Sequence, residues 1–209
     1  MRPPLHIKQV YVGPILLHMP EEAYRSCFDD IEWAHIQTQR HPDRRAERLF
    51  GRWWIAQTLY ALSSVTNRRH RHSFDPQLRC RNRGCPFVVT LAHAAGWCFA
   101  VIAHVHARYL GRIGIGCDIE CRDRLHSMQH GIWHPHDRIV PSRRKVLWCI
   151  KEACLKALPP TPNLRLTDIR VDDPHRRAHY GPWECHYRTA THGNFVSAFA
   201  IAAQGVVDN

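Results

Sequence analysis

Three apolar runs follow one another with only short breaks: "FVVTL" (87–91), "WCFAVIAHV" (97–105) and "RIGIGCDIE" (112–120). They are rich in Val, Ile and aromatic residues, which suit a pleated, half-buried surface. The segments between them, "AHAAG" and "HARYLG", carry glycines that suit turns, so the runs read as antiparallel strands. "LRLTDIRV", "WECHYRTA" and "FVSAFAIAA" add further strands in the tail, and "IKQVYV" (7–12) an early one. Helical signals stand in two places. Pro42-Asp43 opens "RRAERLFGRWWIAQTLYALSS", in which Leu49, Trp53, Ala56 and Tyr60 recur at helical spacing. Ser142 is placed to cap a second helix, which runs to Pro159-Pro160 with Leu147, Ile150, Cys154, Ala157 and Leu158 on one stripe. The segment "MPEEAYRSCFDDIEWAH" reads as a further helix, and 66–84 as a basic loop.

Each half of the chain thus runs from strand and helix into antiparallel strands. The expected fold class is α+β: two similar α/β lobes in a pseudo-twofold arrangement, each a small antiparallel sheet packed with a long helix. The lobes divide near 107–111, giving 1–107 and 108–209, a length that suits two modest cores.

Charge and cysteine usage narrow the partners. A net charge of +11 asks for an anionic partner: nucleic acid, a phosphorylated small molecule or an acidic protein. The arginines of 68–83 have no interleaved aromatic residues and no recognisable nucleic-acid motif, and read equally as a solvated surface. Nine scattered cysteines argue against a secreted disulfide framework, and none stands in a zinc-knuckle spacing. No apolar run approaches a bilayer span and no signal-type segment opens the chain, so a soluble cytoplasmic protein is expected.

The chemistry-bearing residues lie in three stretches. In "GIGCDIE" (114–120), Asp118 and Glu120 stand two apart and share a face of an extended strand. They are either polar punctuation at a strand end or a seat for a hard cation such as Mg²⁺, because bare carboxylates so close repel. In "LWCIKEACLKAL" (147–158), Trp148, Glu152 and Lys156 follow at i+4 steps, either as a surface ion pair or as part of a site. In "TLAHAAGW" (90–97), His93 leaves an apolar strand before a turn, where it is structural or meets an anion.

Together, "GCDIE" followed by "WCIKEACLKA" resembles the paired signature of the 4′-phosphopantetheinyl transferases, G-x-D-[IV]-E and W-x-x-K-E-x-x-x-K. Gly116, Asp118, Ile119, Glu120, Trp148, Lys151, Glu152 and Lys156 carry the match. "RRAERLFGRWW", "RGCPF" and "TLAHAAG" resemble weaker family elements upstream, and the length resembles the two-lobed monomeric type. The resemblance implies transfer of phosphopantetheine from coenzyme A to a serine of an acidic apo carrier protein or carrier domain, releasing 3′,5′-ADP. By it, Asp118, Glu120 and Glu152 would hold Mg²⁺ (or Mn²⁺). Glu152 would act as general base, and Lys156 would stabilise the leaving group. His93 would contact the 3′-phosphate of coenzyme A, and Arg45 or Arg48, Lys151 and the Gly84–Pro86 loop would help hold it. A monomer without nucleic-acid or membrane partners is implied. A coenzyme A- or carrier-binding protein on the same fold is the alternative. The glycines before Asp118 are expected to let a pyrophosphate approach the backbone. The chain departs from the family pattern at Thr90, Ala92 and Ala94 around His93, at Cys85, and at Glu47 where an Arg is usual. The linker 121–147 lacks the family's F-x-x-x-E, and Asp137 is its nearest acid before the helix.

Overall fold

The computed structural model describes residues 5–15, 20–65, 85–125 and 131–204. The basic loop 66–84, with Gly84, lies outside the described residues. The chain is mixed α+β, with two antiparallel sheets and four α-helices among the described residues. It divides into two compact units, Met1–Ala107 and Arg108–Asn209. None of the described helices is long and apolar enough to cross a membrane.

In the first unit, β1 (Leu5–Pro14), β2 (Phe87–Ala94) and β3 (Trp97–Val105) form a sheet in the order β1-β3-β2. The β2–β3 hairpin pairs Ala94 with Trp97, leaving a two-residue turn of Ala95 and Gly96. Both have positive φ (46° and 79°), the conformation that matches the twist of the flanking strands. The strand therefore extends past the expected exit, and His93 sits on β2 and not in the turn.

Helix α1 (Asp30–Gln37) is shorter than the sequence suggests. Glu21–Cys27 form a 3₁₀ segment that ends at Phe28, whose extended backbone breaks the run. Asp29 then accepts a hydrogen bond from the Glu32 backbone N–H at 2.7 Å and starts α1 afresh. Helix α2 (Pro42–Val65) begins at the expected Pro42, which needs no N–H there. Its buried face is Leu49, Phe50, Ile55 and Leu59, the last three joining Val89, Cys98 and Ile102 of the sheet in one cluster. Tyr60, placed on the apolar stripe by its spacing, is 61% exposed. A Cβ at Gly51 would run into the Leu91 side chain, so the glycine lets α2 lie close on β2.

In the second unit, β4 (Ile113–Cys121), β5 (Arg170–Asp172), β6 (Arg177–Tyr180), β7 (Trp183–His192) and β8 (Phe195–Gln204) form a sheet in the order β4-β8-β7-β6-β5. The middle of "LRLTDIRV" is a 3₁₀ turn at Leu166–Asp168 and only its end is strand; β6 has no counterpart in the sequence reading. A single helical turn, α3 (Arg122–Leu125), follows β4. Ser142 does not cap the second long helix: it lies within a 3₁₀ segment, Pro141–Val146, that leads straight into α4 (Leu147–Ala157). The helix ends as Leu158 turns extended before Pro159, the conformation a following proline enforces. Leu147, Ile150, Cys154, Ala157 and Leu158 are buried as expected, and so are Cys149, Lys151 and Ala153. The helix is thus enclosed on most of its circumference, and truncating Leu147 or Ile150 to Ala would cost about 2–5 kcal/mol.

Candidate functional site

The backbone of α4 lies directly against β4. A Cβ at Gly114 would overlap the carbonyl oxygen of Ala157, and one at Gly116 that of Ala153. Four helical residues advance about 6 Å, nearly the rise of about 6.6–6.8 Å for two strand residues. The two elements therefore stay in step, running in opposite directions: Ala157 over Gly114, Ala153 over Gly116. One step further brings Cys149 to Asp118. The Cys149 thiol is fully buried, and burial first, then the Asp118 charge, pushes its pKa well up. The glycines before Asp118 accordingly serve the helix. The expectation that they admit a pyrophosphate is corrected, since helical backbone fills that space.

This contact aims the polar flank of α4 at Asp118. Lys156 Nζ donates to Asp118 Oδ1 at 2.8 Å. Burial works against the Lys156 charge, but Asp118 and then Glu152 outweigh it and hold the ammonium above the usual lysine value. Glu152 is half-buried; burial first, and the Asp118 charge next, raise its carboxyl above the usual range against the pull of Lys156. Glu120, also half-buried, shares the strand face of Asp118. Among the described residues, no group of three or more His, Cys, Asp and Glu side chains is gathered as a ready cation cage. The donor set nevertheless suits a hard divalent cation. Asp118 Oδ2 is buried without a hydrogen-bond partner among the described residues, and such an oxygen is costly unless a positive group meets it.

Lys151 has a different task from the coenzyme A contact that the resemblance implies. Its side chain is 0% exposed, and Nζ bonds the Ile132 carbonyl and Asp137 Oδ2, both at 2.7 Å. Burial pulls Lys151 below the ordinary lysine value although Asp137 opposes this. Asp137 also accepts from the His134 N–H at 2.9 Å and the Val171 N–H at 2.7 Å. The pair pins the 131–141 segment to α4 and β5, and a ligand cannot reach it.

In the first unit, His93 keeps company with Glu47 and Arg44. His93 Nδ1 lies 2.9 Å from Glu47 Oε2, and Arg44 Nη1 lies 3.2 Å from the same oxygen. Glu47 Oε1 accepts from the Gly96 N–H at 2.9 Å. Burial would raise the Glu47 carboxyl, but His93, the Gly96 N–H and Arg44 together hold it below the usual value. Arg45 and Arg48 are engaged elsewhere, Arg45 with Glu21 at 3.1 Å and Arg48 with His35 Nε2 at 3.0 Å. Pro86 is half-buried, and its carbonyl accepts from the Val105 N–H at 2.7 Å. Neither Arg44 nor Asp137 was identifiable as a partner from sequence, because His93 lies 49 residues from Arg44 and Asp137 meets Lys151 from outside its helix.

A cavity of about 560 Å³ opens in the second unit beside the residues that follow β4 and precede α4. Arg122, Arg143, Lys145, Ser142, Thr189 and Asn194 line it, giving a basic, hydroxyl-bearing wall. Arg143 is braced there by Thr189 Oγ1 at 2.9 Å and by the fully buried Asp173 at 3.2 Å. No protein-family model matches this chain, and no curated protein matches it in sequence.

Proposed function

We propose that the chain is a phosphopantetheinyl transferase of the two-lobed, monomeric, cytoplasmic type, with the pseudo-twofold pairing of lobes that this type implies. The observation that carries the reading is the juxtaposition of Asp118 and Lys156, in contact at 2.8 Å from separate elements that the paired signature names. In this reading Asp118, Glu120 and Glu152 hold Mg²⁺, which when bound neutralises pyrophosphate charge and polarises the phosphorus under attack. Glu152, its carboxyl raised by burial, takes the carrier serine's proton as general base. The serine oxygen bonds to the phosphorus of phosphopantetheine as the bond to 3′,5′-ADP breaks. Lys156, kept charged by Asp118, meets the negative charge on the departing nucleotide. The basic wall of the 560 Å³ cavity favours an acidic carrier as the partner.

A second reading keeps the fold and drops the chemistry: a protein that binds coenzyme A or a carrier. It is favoured by the lack of a gathered cation cage among the described residues. Intact-mass analysis separates the two. Incubation with coenzyme A, Mg²⁺ and apo carrier proteins is expected to add one phosphopantetheine to the carrier serine. Binding of coenzyme A without mass gain on any carrier would establish the second reading instead.

A further inference from the structure

Lys156 is held at Asp118 by charge and not by enclosure. Its ammonium meets Asp118 Oδ1 at 2.8 Å, yet its side chain is 33% exposed while Asp118 is buried. Burial disfavours the Lys156 charge, and Asp118 and then Glu152 more than restore it. The carboxylate that keeps the ammonium is therefore the one on which a divalent cation would sit. Asp118 Oδ2 is shut off from solvent, and Lys156, which does reach solvent, stands on the other oxygen. An ammonium and a divalent cation repel, and in a half-buried site that repulsion is little screened. Lys156 can answer it by moving, since its charge rides on a flexible four-carbon stem with water on one side. Lys151 cannot: it is 0% exposed and bonded to the Ile132 carbonyl and to Asp137, both of whose oxygens are filled.

We propose that Lys156 is the resident counter-charge of the Asp118, Glu120 and Glu152 cluster and gives way to the divalent cation. Lys156 leaves Asp118 as the cation takes that carboxylate, and turns outward to the phosphate of an incoming nucleotide. The lysine serves first as a placeholder and then as a ligand contact, which sets an order of cation before nucleotide. By linkage, the lysine weakens the hold on the cation by the same factor as the cation loosens the lysine. The inference rests on the transferase reading for the cation seat, and adds to it a competition that the paired signature does not contain.

Amine acetylation of the native full chain, read residue by residue by peptide mass spectrometry, tests this with Mn²⁺ alone. Uptake is followed by the electron paramagnetic resonance signal of free Mn²⁺, and the part lost in Asp118→Asn is counted. Lys156 is expected to label about fivefold or more faster at saturating Mn²⁺ than without it, the scale of a coupling between two sites. Lys151 should stay unlabelled in both states. Lys156→Gln should bind Mn²⁺ tighter by a similar factor, about fivefold or more. Should that variant fail to fold, the labelling of the native chain carries the test. Unchanged or slower Lys156 labelling at full uptake overturns the inference, and with carrier modification intact it leaves the transferase reading standing. Asp118-dependent uptake that requires coenzyme A overturns the order and leaves the cation seat. No such uptake with or without coenzyme A removes both.

Discussion

Helix α4 carries two lysine–aspartate pairs little more than a turn apart, and they differ in how fully each carboxylate is met. Asp137 is enclosed, and both its oxygens accept hydrogen bonds, from Lys151, His134 N–H and Val171 N–H. Asp118 has Lys156 on one oxygen and, among the described residues, no hydrogen-bond partner on the other, and Lys156 remains 33% exposed. A buried pair with every valence filled fixes a segment in place. A pair left one partner short, beside two further carboxylates and open to solvent on the lysine side, keeps capacity for another charge. The same residue types on one helix thus serve structure at Lys151 and, in our reading, chemistry at Lys156.

Substitutions can break this contrast in graded steps. Lys151→Ala should cost the most, about 3–5 kcal/mol, because it strands Asp137 as an uncompensated buried charge. Urea unfolding would report it as a lower midpoint, and an unshifted midpoint would place the pair outside the core. Gly116→Ala comes next, at about 1–3 kcal/mol for overpacking, since its methyl meets helical backbone that cannot rotate away. Thermal melting is the readout. Lys156→Gln and Asp118→Asn should cost less, about 1–2 kcal/mol, because Asp118 is buried but Lys156 is partly open to solvent. Both should nevertheless abolish transfer to the carrier. A stability loss at Lys156 as large as that at Lys151 would erase the distinction.

The smallest effect concerns acid sensitivity. Glu47 has a lowered carboxyl value in the folded chain. Its contribution is therefore present above the ordinary glutamate range and is lost as pH falls through the lowered value. Glu47→Gln should flatten the fall in melting temperature over that acidic window and leave the slope near neutrality unchanged.

How far these features were legible in the sequence differs by element. Helix α2 announced itself through Pro42, and β3, β4 and β8 through runs rich in Val, Ile or Phe, since local composition and period fix such elements. The stretch 164–171 misled because its apolar residues seat a 3₁₀ turn and only Ile169 and Val171 enter the core. Asp118, Glu152 and Lys156 could be nominated only through the family resemblance, their spacing leaving bland readings open; Asp118 and Lys156 are in contact. The role of Gly114 and Gly116 could not be read, because a strand glycine looks the same whether a ligand or a helix approaches it. Lys151 sits one residue before Glu152, yet the rotation of about 100° between them sends it inward to Asp137. Glu47 looked like a departure from pattern until its distance to His93 and Arg44 was known.

The central claim is that Asp118, with Glu120 and Glu152, is a seat for a divalent cation and that Asp137 is not. Titration with Mn²⁺ in the presence of coenzyme A, followed by the electron paramagnetic resonance signal of free Mn²⁺, tests it without depending on turnover. The account predicts uptake of one Mn²⁺ per chain beyond that held by coenzyme A alone, abolished in folded Asp118→Asn. Uptake that is equal in the native chain and in Asp118→Asn, or no uptake beyond the coenzyme A control, would contradict it.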